Sequence, residues 1–453
     1  MIETKELKEP IIYKGNSFND NIEQVNKHPL NFYIKVQKEC GDYVKVKLLP
    51  SIYMYIFFHP DAVQHILQSS NYRKPDFFYN AVRPLTGYGL FTSEGSIWLK
   101  QRRISQPAFF KKNVESLSSI LIKSIKEELD TWNDFKDGDI IDISSKMTKL
   151  TIKVLSNALF SLDISDNSNQ LSVSLRSAFE FVSNKMSNPM SLPLWIPTQK
   201  NKQFVHDKKE IDSIVEKIIS TRRNSKENYN DLLNTLIKSK DPETGDTLTD
   251  NQLRDQMITM VVAGHDTTSA ALAWTFYLLA KNKDKEKILF NEIDSVLSDR
   301  QIELKDLDNL EYSKMAFEET MRLYPPAWGL PREAIEDDSI NGYLIKKKVP
   351  IALSQYMTHR HPEFWEKPLE FYPEHFSKDL VEKRHKFAYF PFGAGSRMCI
   401  GKLFAMTEAQ LILNSILQNF SFDLIDNNEI EADPTFTLIA KGGIKLRLRK
   451  RKK

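Results

Sequence analysis

The stretch Met257 to Ala280, MITMVVAGHDTTSAALAWTFYLLA, constrains this chain more than any other. It is long enough to cross a bilayer. Yet His265, Asp266, Thr267 and Thr268 stand near its centre, where lipid penalises a charge by several kcal/mol. Asp255 on one side and Lys281 and Lys283 on the other are ordinary soluble helix ends. The segment therefore reads as a helix buried through the middle of a large protein. Its polar cluster needs a chemical reason, because unpaired polar groups in a core are costly.

A chain of 453 residues, 41% hydrophobic and containing 27 Phe, 16 Tyr and 6 Trp, can supply the core such a helix requires. That composition excludes a mainly disordered chain. A net charge of +3 is too small to imply a nucleic-acid partner. The N-terminus MIETKELKEPIIYKGNSFND has no apolar run, so no signal peptide or integral membrane anchor is expected there. Near the C-terminus Leu446 and Leu448 alternate with Lys445, Arg447 and Arg449, which predicts a short strand with one wet face. The basic tail 450–453 reads as a solvated, frayed end; contact with anionic lipid or an acidic protein is the alternative.

Residues 42–60 are rich in Val, Ile, Tyr and Phe and read as strands. Helical periodicity dominates from about residue 98. It is clearest at Asn113–Trp132, Asp142–Phe160, Gln203–Arg222, Asp250–Lys281, Asp284–Leu297, Ser313–Tyr324 and Leu403–Asn419. Residues 183–201 and 239–249 read as surface loops. The expected class is mainly α (α+β). One large helical domain spans 1–453, with a lead-in over 1–30 and small sheets near the N-terminus and in the last third. Cys40 and Cys399 alone make no disulfide framework, so a reducing, cytoplasmic setting is expected.

The densest chemistry lies at Phe392-Gly393-Ala394-Gly395-Ser396-Arg397-Met398-Cys399-Ile400-Gly401. Glycines permit positive φ and close approach to a flat partner. A helix-forming segment follows, so the sulfur lies near a helix N-terminus, which favours a thiolate. Arg397 supplies a fixed positive charge for an anionic group. From the residues alone two readings stand: a ligand thiolate, or a free thiol buried in a tight turn. The pattern fails the dinucleotide fingerprint, since Met398 holds the third glycine's place. No serine elbow, P-loop or zinc ribbon can be assembled from the remaining glycines and cysteines.

The spacing Phe-x-x-Gly-x-Arg-x-Cys-x-Gly resembles the haem-binding loop of the cytochrome P-450 family of haem-thiolate monooxygenases. Glu319-Thr320-Met321-Arg322, followed by Leu323-Tyr324-Pro325-Pro326, matches the family's Glu-x-x-Arg pair, whose members share a helix face. Ala263-Gly264-His265-Asp266-Thr267-Thr268 matches its oxygen-activation segment. Where the family carries a second arginine in a Pro-Glu-Arg-Phe segment, this chain has Pro373-Glu374-His375-Phe376, which is expected to weaken a three-way ionic network.

The resemblance implies haem b (iron protoporphyrin IX) on an axial thiolate from Cys399, with Arg397 and Phe392 in the binding loop. Gly264 would admit the haem and O2. Thr267 would donate to the distal oxygen and Asp266 would relay protons. Thr267 bonding back to a carbonyl one turn earlier is the competing account of that hydroxyl. Trp98 and Arg102, one helical turn apart, would hold one propionate and Arg332 the other. Ala263 stands where some members carry a Glu that esterifies haem, so no such ester is expected.

The function implied is insertion of one atom of O2 into a C–H bond of a small organic substrate, as hydroxylation or oxidative O-demethylation. Electrons would come from NAD(P)H through a separate ferredoxin or flavodoxin and its reductase, docking near Lys100 and Lys402. A monomer is expected. A peroxide-driven peroxygenase or isomerase, and a non-catalytic haem sensor, are the competing readings. The resemblance implies that peroxygenase and isomerase relatives commonly lack the acid–threonine pair present here, and a sensor has little use for one. Fatty acids, terpenoids, polyketides and methylated sugars all remain possible substrates.

Overall fold

The computed structural model describes residues 7–15, 17–165, 170–187 and 191–451. The first six residues of the lead-in, residues 188–190 of the 183–201 loop and the last two lysines of the basic tail lie outside them. The chain sorts into two compact units. One comprises Met1–Tyr79, Glu318–Cys399 and Asp433–Leu438; the other comprises Asn80–Phe317, Ile400–Ala432 and Ile439–Lys453.

In the first unit the Val/Ile/Tyr/Phe runs pair as a mixed sheet. Its strand order is Ile11–Tyr13, Tyr43–Leu49, Ile52–Phe57, Pro350–Leu353, Leu330–Ala334, Tyr72–Arg73. Successive side chains leave a strand on opposite faces. Val44, Val46, Ile56 and Phe58 therefore pack with Phe32, Tyr33 and Val36 of the helix Pro29–Cys40. Tyr55, Phe57, Ile351 and Leu353 pack with Ala62, Val63 and Ile66 of the helix Pro60–Gln68. With both faces covered, the sheet is a rigid floor. Arg332 sits on it directly across from Ile351.

The second unit is helical and is organised on Asp250–Lys281, whose bounds match the sequence reading. Thr249 and Gln252 start it with a reciprocal capping box, which satisfies two N–H groups of the first turn. The helix Ile143–Phe160 packs along it, capped by the Asp142 side chain. Leu446 and Leu448 are fully buried in a small sheet ordered Phe420–Leu424, Lys445–Lys450, Ile140–Asp142. That is the expected strand with one wet face.

Among the described residues no helix is long and apolar enough to cross a membrane. The Asn113–Trp132 segment is broken into Lys111–Ser116 and Ser118–Asp130, where the reading gave one helix. The helix Gln170–Ser187 runs into the segment read as a loop from 183, while the 239–249 loop is irregular as expected.

Candidate active site

The cysteine loop is shaped by its own backbone. The Cys399 N–H donates to Phe392 O at 2.9 Å, and Met398 N–H donates to Gly395 O at 3.2 Å across the short turn Gly395–Arg397. Gly393 and Gly395 take φ of +67° and +66°, conformations that disfavour any other residue. Cys399 is exposed, whereas Cys40 is partly buried and burial pushes its thiol up. This argues against the reading of Cys399 as a thiol buried in a turn. Arg397 lies half-buried in the same turn.

Glu319 and Arg322 form the expected pair, and both are wholly buried. Arg322 Nε and Nη2 donate to the two Glu319 oxygens at 2.7 Å each. Its other donors reach the carbonyls of His359, Pro368 and Glu370. All five guanidinium N–H groups are thus used, which pins the 359–370 segment to the helix Glu311–Leu323. His375 does not drop out of this network. Its Nδ1 lies 3.2 Å from both Glu319 oxygens, and Tyr372 N–H donates to Oε1 at 2.9 Å. The three-way network expected to weaken is closed by a ring in place of a guanidinium.

In the second unit the central helix is buried over Met257–Val262 and again from Thr268 to Ala280. Between those stretches Ala263 is exposed, and Gly264 to Thr267 are partly exposed. The polar cluster therefore faces open space in the middle of an otherwise buried helix. The Thr267 hydroxyl donates to Ala263 O at 2.8 Å, the back-bond the sequence left as its alternative role. Its lone pairs stay available as acceptors. Asp266 Oδ1 lies 2.8 Å from His265 Nδ1. A Cβ on Gly264 would stand 3.1 Å from Leu155 Cδ2, so this glycine lets the two long helices close together. Trp98 is buried and Arg102 half-buried one turn further along the helix Gly95–Ser105. Lys100, a candidate docking residue, pairs with Asp246 at 2.6 Å.

Arg332 is 6% exposed, and its one side-chain hydrogen bond among the described residues is to Pro331 O at 2.8 Å. It has no carboxylate partner among the described residues, an unusual state for a buried guanidinium. Glu408, on the helix Lys402–Asn419, escaped the sequence reading. It is fully buried, so burial pushes its carboxyl up to about 8, partly offset by a bond from Thr268. Its Oε1 has no partner. An acid inside the apolar run LFAMTEAQLILN was the signal that could have found it.

In the first unit, two features fit a flat, anionic, iron-bearing group. An exposed thiol stands on a loop with little side-chain bulk. A buried arginine has no carboxylate partner among the described residues. In the second unit, taken by itself, hydroxyl and carboxylate groups stand on a partly exposed stretch of the central helix.

A sequence model of the family described as cytochrome P-450 matches residues 9–447, and so includes segments of both units. The chain is 30% identical over 417 residues to cyclooctatin synthase of Streptomyces melanosporofaciens, covering 91% of this chain and 90% of that protein. It is 32% identical over 391 residues to cyclooctat-9-en-7-ol 5-monooxygenase of the same organism, covering 86% and 84%. It is 28% identical over 429 residues to pentalenene oxygenase of Streptomyces avermitilis, covering 94% of each.

Proposed function

Because the chain belongs to the cytochrome P-450 family, whose members use haem with an axial cysteine thiolate, we propose that Cys399 supplies that ligand in a monooxygenase acting on an apolar substrate. The observation that carries this is the exposed Cys399 thiol on a loop held by backbone bonds and two positive-φ glycines. Bound haem supplies the binding and reductive activation of O2. The buried, carboxylate-free Arg332 takes one propionate. Trp98, Arg102 and Arg397 hold the haem's acidic edge, and Phe392 packs in its loop.

Protons reach the oxygen site through Asp266, which is partly exposed and so can exchange with solvent. Thr267 Oγ1 accepts there and, by turning its hydrogen away from Ala263 O, donates in turn. Gly264 keeps the helix close to its neighbour at this point. The whole chain acts as one catalytic domain. Electrons arrive from NAD(P)H through a separate ferredoxin or flavodoxin and its reductase.

The relatives' names specify an unsaturated alcohol, cyclooctat-9-en-7-ol, and pentalenene. A terpenoid of that apolar kind is the substrate class we place first, with hydroxylation as the reaction. The test is spectroscopic. Reduced protein with CO should give the red-shifted Soret band of a thiolate-ligated haem, and Cys399→Ser should abolish it while leaving the fold intact. A folded, haem-loaded wild type without that band overturns the reading.

A further inference from the structure

We propose that His375 is held as an imidazolium, so that the network pinning the segment ahead of the cysteine loop depends on a proton. Two ring nitrogens meet two groups that can only accept. Nδ1 lies 3.2 Å from both oxygens of Glu319, and Nε2 lies within hydrogen-bond reach of Glu366 O. A neutral imidazole carries one N–H, so either tautomer would turn a lone pair against an acceptor. Only the doubly protonated ring satisfies both. Glu319 takes two bonds from Arg322 and one from Tyr372 N–H, so both of its oxygens act as acceptors.

Other groups around the ring set the balance. The Trp365 and Tyr372 rings stand edge-on at 5.3 and 5.0 Å and offer no counter-charge. Arg384 Nη1 donates to His375 O at 2.9 Å, and its guanidinium stacks over Trp365 at 4.0 Å. Arg322 and Arg384 both disfavour a third cation nearby, against the two acceptors that favour it. Glu366 and Glu374 flank the site in sequence. Tyr389 packs on Phe376 at 4.7 Å and donates to Glu318 O. His359, which accepts from Phe390 N–H, is kept neutral by burial and by Arg322.

An arginine at this position would carry its charge at every working pH; a histidine carries it only below its titration. Loss of the proton leaves Glu319 or the Glu366 carbonyl facing a lone pair. The strap between Trp365 and Phe390 is then loosened from the Glu319 helix just before the cysteine loop. His375 is thus a positioning residue whose hold is conditional on pH.

The experiment compares wild-type holoprotein with His375→Arg and His375→Gln from about pH 6 to about pH 9. Thermal unfolding midpoints of the wild type should fall by about 2–4 °C relative to His375→Arg as pH rises, with the Gln variant showing no such pH-dependent gap. In the diamagnetic ferrous–CO form, nitrogen-15 spectra should show one imidazolium at neutral pH that is missing from both variants. Its contacts with the Trp365 and Tyr372 rings identify it if neither variant accumulates. A neutral tautomer at neutral pH, or a wild-type pH profile parallel to that of His375→Arg, overturns the proposal. These readouts do not require Cys399 to be the ligand, so they can fail independently of that assignment.

Discussion

The carbonyl oxygen of Leu67 stands 1.9 Å from the point that a Cβ on Gly395 would occupy. The end of the helix Pro60–Gln68 therefore presses directly on the backbone of the cysteine loop, with no side chain between them. Gly395→Ala would have to displace that carbonyl and also hold φ near +66°. We expect it to cost about 2 kcal/mol or more, read as a lower unfolding midpoint and as loss of the thiolate signature in whatever holoprotein forms.

Arg322→Lys keeps the charge but not the fork. A lysine has three donors where the arginine uses five, so at least two of these five bonds are lost. Chemical denaturation should show a loss of about 3 kcal/mol or more, because the remaining acceptors are buried. An unchanged midpoint would mean the network does not carry that segment.

Glu408 gives a pH signature of definite sign. Its carboxyl moves from an ordinary 4.5 to about 8 on burial, so the folded protein holds this proton more tightly than the unfolded chain. Its contribution is fully present below about pH 4.5 and is lost as pH rises to about 8. Glu408→Gln should flatten that decline, leaving the variant more stable than wild type by on the order of a few kcal/mol near pH 8. Stability curves that stay parallel across this range would show the acid to be ionised in the fold.

Gly264 tests the packing of the two long helices. Alanine would gain about 1 kcal/mol of helix propensity but must push Leu155 Cδ2 back from 3.1 Å, so Gly264→Ala should be close to neutral. Gly264→Val should destabilise by about 1–3 kcal/mol through overpacking, and Leu155→Ala in the same chain should recover part of that. Additive losses in the double variant would place the strain elsewhere.

How much of this was legible in the sequence follows from where each signal resides. The central helix was read to its ends, because a polar cluster in a long apolar run, a Thr–Gln capping box and a terminal lysine are all local. Glu319, Arg322 and Cys399 were legible for the same reason: short, fixed spacings. The helices Phe18–Lys27, Pro29–Cys40 and Gln170–Ser187 were not singled out, since much of their stability comes from packing that no local pattern reveals. The Gly264–Leu155 approach and the seat of His375 depend on partners distant in sequence. For His375 the substitution was visible, but its fit between Glu319 and the Glu366 carbonyl was not.

The cysteine loop takes its curvature from amide-to-carbonyl bonds and from two glycines, while the groups proposed to handle protons are side chains of the central helix. Such a division insulates the bend that carries Cys399 from tinkering. Replacements on the central helix leave those backbone bonds and glycines in place. A scaffold partitioned in this way is evolvable: side chains can be exchanged while the bend that carries Cys399 is inherited intact.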